Sequence, residues 1–235
     1  MMLPEIIENE KCDYISNDFD FQLAVSTFDR TRSFLKIQDG CDYFCTYCTI
    51  PYVRGRSRSA KIDDILAQLD KLVDEGIKEV IFTGVNIGDF GKNNDENFYN
   101  LLKTIANKHY PMRFRISSIE PDLLSQEIID LVANTEVFMP HFHIPLQHGS
   151  DRILKLMKRR YSSRDFINLI YSIKKSIPEA FIANDVIVGF PGESDDDFNE
   201  MYTLLKDLPI SYLHVFPYSD RPLAKSFNFD DKISP

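Results

Sequence analysis

From Phe34 onward the chain alternates short apolar runs with stretches whose apolar residues recur every three or four positions. Phe34–Gln38, Glu79–Thr83, Arg113–Ser117, His141–Ile144, Phe181–Val188 and Tyr212–Phe216 read as strands. Ile62–Val73, Phe98–Asn107, Pro121–Val132, Asp151–Met157, Arg164–Lys175 and Asp195–Lys206 read as helices, the first of them stopped by Gly76. Strand followed by helical sequence, repeated along the chain, implies parallel pairing with right-handed crossovers. Six β/α units are too few for a closed eight-stranded barrel. The expected fold class is therefore α/β, either an open six-stranded parallel (β/α)6 partial barrel or a doubly wound sheet. Both gather ligands at the carboxyl ends of their strands.

The residues with chemistry fall at those ends. Gly40-Cys41-Asp42-Tyr43-Phe44-Cys45-Thr46-Tyr47-Cys48 follows the first strand, and Thr83-Gly84-Val85-Asn86 the second. Ser117-Ser118-Ile119-Glu120-Pro121, Pro145-Leu146-Gln147-His148-Gly149, Gly189-Phe190-Pro191-Gly192-Glu193 and Pro217-Tyr218-Ser219 follow the other four. Cys41, Cys45 and Cys48 have the spacing C-x3-C-x2-C. A structural zinc site takes four ligands, usually as two separated pairs. A [4Fe–4S] cube has four metal corners, so three thiolates leave one iron open to a small molecule. Zinc completed by one of the five histidines remains the competing reading.

Composition changes this picture little. With 235 residues, 43% of them hydrophobic and 27% charged, the chain suits one large soluble domain. No apolar run approaches a membrane span, and reduced thiols suit a cytosolic setting. A net charge of −9 argues against a nucleic-acid binder as a whole. Two basic clusters, Arg54/Arg56/Arg58/Lys61 and Lys155/Lys158/Arg159/Arg160/Arg164, read as solvated faces unless they border the open iron.

Residue by residue, an amino acid chelating the open iron would find Thr83, Gly84 and the backbone of Val85 ready to hydrogen-bond its ammonium or carboxylate. Glu120, beside Ser117 and Ser118, either accepts from ribose hydroxyls or caps the next helix. His141 and His143 share one strand face and read as interior histidines. The acidic run Glu193–Asp197 reads as a helix cap.

The cysteine loop, with Tyr47 as the aromatic of C-x3-C-x-aromatic-C, resembles the radical S-adenosylmethionine superfamily. Phe34–Cys41, Pro51–Ser59, His143–Gln147, Leu154–Tyr161 and Asp185–Glu193 are similar to the methylthiotransferases within it, and Arg30–Lys36 with Thr83–Gly91 to the branch acting on N6-threonylcarbamoyladenosine in tRNA. The resemblance implies a partial barrel of the radical SAM type, one cluster on Cys41, Cys45 and Cys48, and S-adenosylmethionine on its open iron. Tyr47, Thr83, Gly84, Val85, Asn86, Ser117, Glu120, Gln147 and Val188 are the residues expected around that cofactor. It implies reductive cleavage to a 5′-deoxyadenosyl radical, hydrogen abstraction from C2 of the modified adenine, sulfur insertion there, and methyl transfer from a further S-adenosylmethionine. The implied partners are tRNA and a reducing electron-donor protein. Isopentenyladenosine tRNA or a ribosomal protein is the alternative substrate, and an inert barrel acting as an interaction module the alternative class.

Residues 1–32 read as a linker or the remnant of an upstream domain, 33–222 as the radical core, and 223–235 as the start of a C-terminal region. Only Cys12 lies upstream of the loop, where the family carries three cysteines for a second cluster. His148 stands where the family has serine, and Met139 where some relatives have cysteine. The chain is accordingly expected to cleave S-adenosylmethionine but not to methylthiolate tRNA unaided.

Overall fold

The structure is a computed structural model and describes residues 21–26, 32–93 and 95–233. Cys12, Arg30, Thr31 and most of the stretch read as a linker lie outside the described residues. Nine strands are present among those described: β1 (Ala24–Ser26), β2 (Ser33–Lys36), β3 (Gln38–Asp39), β4 (Arg58–Ser59), β5 (Glu79–Thr83), β6 (Arg113–Ile116), β7 (His141–His143), β8 (Phe181–Val188) and β9 (Tyr212–Pro217). The α-helices are α1 (Ile50–Val53), α2 (Ile62–Asp74), α3 (Phe98–Lys108), α4 (Gln126–Ala133), α5 (Asp151–Leu156), α6 (Ser163–Ser176) and α7 (Asp195–Asp207).

All six expected strands form, and they pair in parallel in chain order. Ser33↔Val80 sets β2 on β5, Glu79↔Arg113 sets β5 on β6, His141↔Phe181 sets β7 on β8, and Ala183↔Tyr212 sets β8 on β9. Isolated parallel bridges, Phe114↔Phe138 and Ser118↔His143, carry the sheet across from β6 to β7. The result is an open partial barrel, the first of the two architectures expected. Period-two alternation divides its residues between two faces. Leu35, Val80, Phe82, Phe114, Phe142 and Ile182 are fully buried against the helices, while Ile81, Arg115, His143 and Ala183 face a cavity inside the barrel.

Local chemistry explains the helices. In α2 the buried residues Ile65, Leu66, Leu69 and Leu72 form one stripe. Its first amide, on Ile62, donates to the Glu96 carboxylate at 3.1–3.2 Å. It ends in a Schellman arrangement, with Ile77 N donating to Leu72 O and Gly76 N to Val73 O around Gly76 at φ +76°. Asn97 caps α3, and Ser162 and Ser194 cap α6 and α7 in reciprocal boxes with Asp165 and Asp197.

Three expectations need correction. The helix expected over Pro121–Val132 is broken: Pro121–Leu123 is a 3-10 turn, and Ser125 then caps a new helix, α4, by accepting from Ile128 N. Beyond the parallel set, β1 adds an antiparallel edge to β2, and β3 folds antiparallel onto β4. The acidic run is divided in role. Ser194 and Asp197 cap α7, whereas Glu193 turns back to accept from Gly189 N at 2.7 Å and Phe190 N at 2.9 Å. Among the described residues, no helix is long and apolar enough to cross a membrane.

Candidate functional site

The cysteine loop leaves β3 through Gly40, which is held at φ +70° with its Cα packed against the Arg56 carbonyl. Cys41 N donates to Gly55 O at 3.2 Å, so the loop is pinned from below by the turn into β4. Phe44 takes a left-handed conformation at φ 53°, and Cys48 N closes a turn onto Cys45 O at 3.0 Å. Cys41 and Cys48 are half-buried and Cys45 is buried; all three thiols are free.

Hydrogen bonds tie the other strand exits to this loop. Gln38 Oε1 accepts from Val85 N at 2.9 Å and Asn86 N at 2.8 Å, fastening the loop after β5. Tyr43 Oη donates to Asp122 at 2.6 Å, beyond the exit of β6. Thr46 N donates to Met157 O and its hydroxyl to Leu156 O, linking the end of α5. Ser226 N donates to Thr46 O, and Tyr218 to Ser226 Oγ, bringing in the exit of β9. The loops after β7 and β8 come together where His148 Nε2 lies 3.4 Å from Glu193 without a hydrogen bond.

At the centre lies Arg159, whose side chain is 1% exposed. Its guanidinium donates to Cys45 Sγ at 3.1 Å, Tyr47 Oη at 3.4 Å and Tyr161 Oη at 3.0 Å, and it forms an ion pair with Glu120. Tyr161 in turn donates to the carbonyls of Pro145 and Leu146. Burial pushes the Glu120 carboxyl up, and the positive charge of Arg159 opposes that rise. This position corrects the reading of Arg159 as part of a solvated face. It also corrects the reading of Glu120 as a helix cap, because no side-chain cap bond is made there.

In the other basic cluster the three arginines pair within the protein. Arg54 and Arg58 both bind Asp39, at 2.7 and 3.3 Å, and Arg56 lies 3.4 Å from Asp42. Arg160 lies over the Tyr43 ring, 3.8 Å from its centroid.

The expected cofactor contacts vary in what they still offer. Thr83 ends β5 and its carbonyl is used by Ile37 N. Gly84 packs on Gln38, and the amides of Val85 and Asn86 are already satisfied by that side chain, so only other atoms of this loop are free for a ligand. Asn86 is buried with Oδ1 unpartnered, and Ser117 Oγ is buried and unpartnered too. Buried polar atoms in native proteins are almost always satisfied, so these two mark places where a ligand would complete the bonding. Tyr47 faces Arg159. Gln147 bridges to β8 through Asp185 O and Ile187 N at φ 69°. Val188 ends β8, its carbonyl accepting from Tyr218 N.

Residues 35–205 match the Radical SAM superfamily. The chain belongs to that superfamily. Its cofactors are a [4Fe–4S] cluster and S-adenosylmethionine. The chain is 42% identical over 210 residues to the threonylcarbamoyladenosine tRNA methylthiotransferase MtaB of Aquifex aeolicus, covering 89% of this chain and 51% of that protein. The Bacillus subtilis protein of the same name is 40% identical over 215 residues, covering 90% and 48%. The tRNA-2-methylthio-N(6)-dimethylallyladenosine synthase of Clostridium tetani is 37% identical, covering 90% and 47%. The chain thus spans about half the length of the curated relatives it matches. Among solved structures, the radical S-adenosylmethionine methyltransferase TsrM of Kitasatospora setae superposes with a TM-score of 0.71 at 17% identity, covering 83% of this chain and 38% of that one. Coproporphyrinogen III oxidase HemN of Escherichia coli gives 0.62 at 16%, covering 86% and 48%.

The donor set suits an iron–sulfur centre. Burial pushes the Cys41 thiol up to about 12 and raises those of Cys45 and Cys48. Three thiolates in this half-buried loop therefore need a strongly positive partner. No disulfide competes for the described cysteines.

Proposed function

We propose that this chain is the radical core of a methylthiotransferase acting on C2 of N6-threonylcarbamoyladenosine in tRNA, with Cys41, Cys45 and Cys48 holding the cluster. The observation that carries the reading is the mouth itself: three free thiols from one loop, to which the segments beyond β6, α5 and β9 are hydrogen-bonded. The substrate rests on the identity of 40–42% to enzymes named for that nucleoside. When bound, the cluster supplies one electron, received from a reducing protein, that splits S-adenosylmethionine and delivers a 5′-deoxyadenosyl radical.

This chain's own residues shape the site around that chemistry. Arg159 sets its positive charge against Cys45 and braces Tyr47, Tyr161 and Glu120 behind the loop. Gln38 holds the Gly84–Asn86 segment against β3, leaving Asn86 Oδ1 free to accept from an ammonium group. Ser117, Gln147 and Val188 line the exits of three successive strands, where the remainder of a nucleoside cofactor would lie.

The test is anaerobic reconstitution with iron and sulfide, followed by EPR of the reduced protein with and without S-adenosylmethionine. About four irons per chain and a signal perturbed by the cofactor are expected. Zinc on the three thiols in place of a cluster, or a cluster signal indifferent to the cofactor, would transfer the chain to the inert-barrel reading. For the substrate, release of 5′-deoxyadenosine should be stimulated by tRNA bearing N6-threonylcarbamoyladenosine. Equal stimulation by tRNA bearing dimethylallyladenosine would move the assignment to the sister enzymes.

A further inference from the structure

A second set of metal-type ligands lies inside the barrel, apart from the thiols. His143 on β7, Asp185 on β8 and His214 on β9 project from three adjacent parallel strands. In register, Asp185 is the Cα partner of His214, and His143 pairs with Ala183, two residues earlier on the face of Asp185. His143 Nε2 lies 2.9 Å, and His214 Nδ1 2.8 Å, from the same oxygen, Asp185 Oδ1. One ligand atom from each of the three lies within 4.8 Å of the other two; among the described residues, no other trio of His, Cys, Asp or Glu meets that condition. The two imidazoles are close to perpendicular, with centroids 5.8 Å apart.

From this convergence we infer that His143, Asp185 and His214 form a binding site for a divalent transition-metal ion, distinct from the cysteine loop. Two imidazole nitrogens and one carboxylate oxygen form an N2O set. That set suits zinc, iron(II) or cobalt(II) and not magnesium or calcium, which prefer all-oxygen shells. Three protein ligands leave coordination positions open, the pattern of a reactive site rather than a structural one. Two of the three ligands, His143 and His214, line a cavity of about 450 Å³. The cavity is also lined by Ser117 and His141, whose Oγ and Nδ1 are buried and unpartnered. Arg115, the cation lining the same cavity, shares the Glu79 carboxylate with Arg113, at 3.1 and 3.4 Å.

The test is a cobalt(II) titration of the Cys41→Ala/Cys45→Ala/Cys48→Ala chain, followed by visible absorption. One saturable equivalent is expected, with ligand-field bands and no thiolate charge-transfer band. Adding His214→Ala, at a half-exposed edge position, or Asp185→Asn should weaken binding at least about tenfold, with the circular dichroism unchanged. No saturable binding by a folded triple variant, or binding indifferent to both further changes, would overturn the site and leave the trio a hydrogen-bonded unit only. If the triple variant fails to fold, the chain with its cluster assembled carries the same test. A metal equivalent beyond the cluster should then bind, and His214→Ala should abolish it; no extra equivalent, or one that survives His214→Ala, overturns the proposal.

Discussion

Replacing Gly40 by alanine isolates how the cysteine loop is seated, provided Gly76→Ala is measured beside it. Both glycines have nearly the same left-handed backbone, φ +70° and +76°. An L residue there costs about 1–2 kcal/mol, a strain common to both variants. Their surroundings differ. A Cβ on Gly76 meets nothing within 4 Å, whereas one on Gly40 would lie 2.0 Å from Arg56 O and 2.7 Å from Gly55 O. Those are backbone atoms, so no side chain can swing aside. Relief must move the Gly55–Arg56 turn, loosening the Cys41 N to Gly55 O bond and the Asp39↔Arg58 pairing. At about 0.5–1.5 kcal/mol net for each of these two interactions, Gly40→Ala should cost about 2–5 kcal/mol, at least about 1 more than Gly76→Ala. In thermal unfolding the gap should be at least about 2–4 °C for a domain of this size. Iron retained after reconstitution should fall in Gly40→Ala only. Equal Tm losses and equal iron contents in the two variants would refute the claim that backbone contact at Gly40 seats the loop.

Three further outcomes are expected. Glu120→Gln removes the counter-charge of Arg159 and should cost about 3–5 kcal/mol in urea unfolding, as broken buried pairs do; Arg54→Gln, where Arg58 still binds Asp39, should cost under about 1 kcal/mol. Burial acts to raise the Asp197 carboxyl, but hydrogen bonds from Arg152, Ser194 and Ser150 outweigh it and hold the group below the usual carboxylate range. Its stabilising contribution is therefore complete above the unfolded value of about 3.9 and is lost as pH falls below it; urea midpoints between pH 6 and pH 3 should fall less steeply in Asp197→Asn than in the parent. Phe82→Ala empties a fully buried site stacked 5.4 Å from Phe114 and should cost about 3–5 kcal/mol by equilibrium unfolding.

Much of the fold was legible because its elements are written locally. Apolar period two and period 3.6 located the six parallel strands and most helices to within a residue or two, and strand–helix alternation implied their pairing. The break at Ser125 was missed because a serine inside an apolar pattern gives no sign of whether it caps or continues a helix. The β3–β4 hairpin was missed because each strand is two residues long, too short to show a period. Of the site, the cysteines and the strand exits around them could be named from spacing and punctuation.

What the sequence by itself determined, then, is the order of elements, the end of the barrel at which the chemistry-bearing loops lie, and the spacing that puts three thiols in one of those loops. All three depend on residues within a few positions of one another. Tertiary structure alone decided which charges are spent and which groups meet. Arg159 reads as one cation among five, yet it reaches Cys45 across 114 residues of chain and is buried there. Gln38 reads as the end of a strand, yet it occupies the amides of Val85 and Asn86. His143, Asp185 and His214 converge only because parallel register places three strands side by side. Burial and hydrogen-bond partners are properties of the packed chain, and no local pattern carries them.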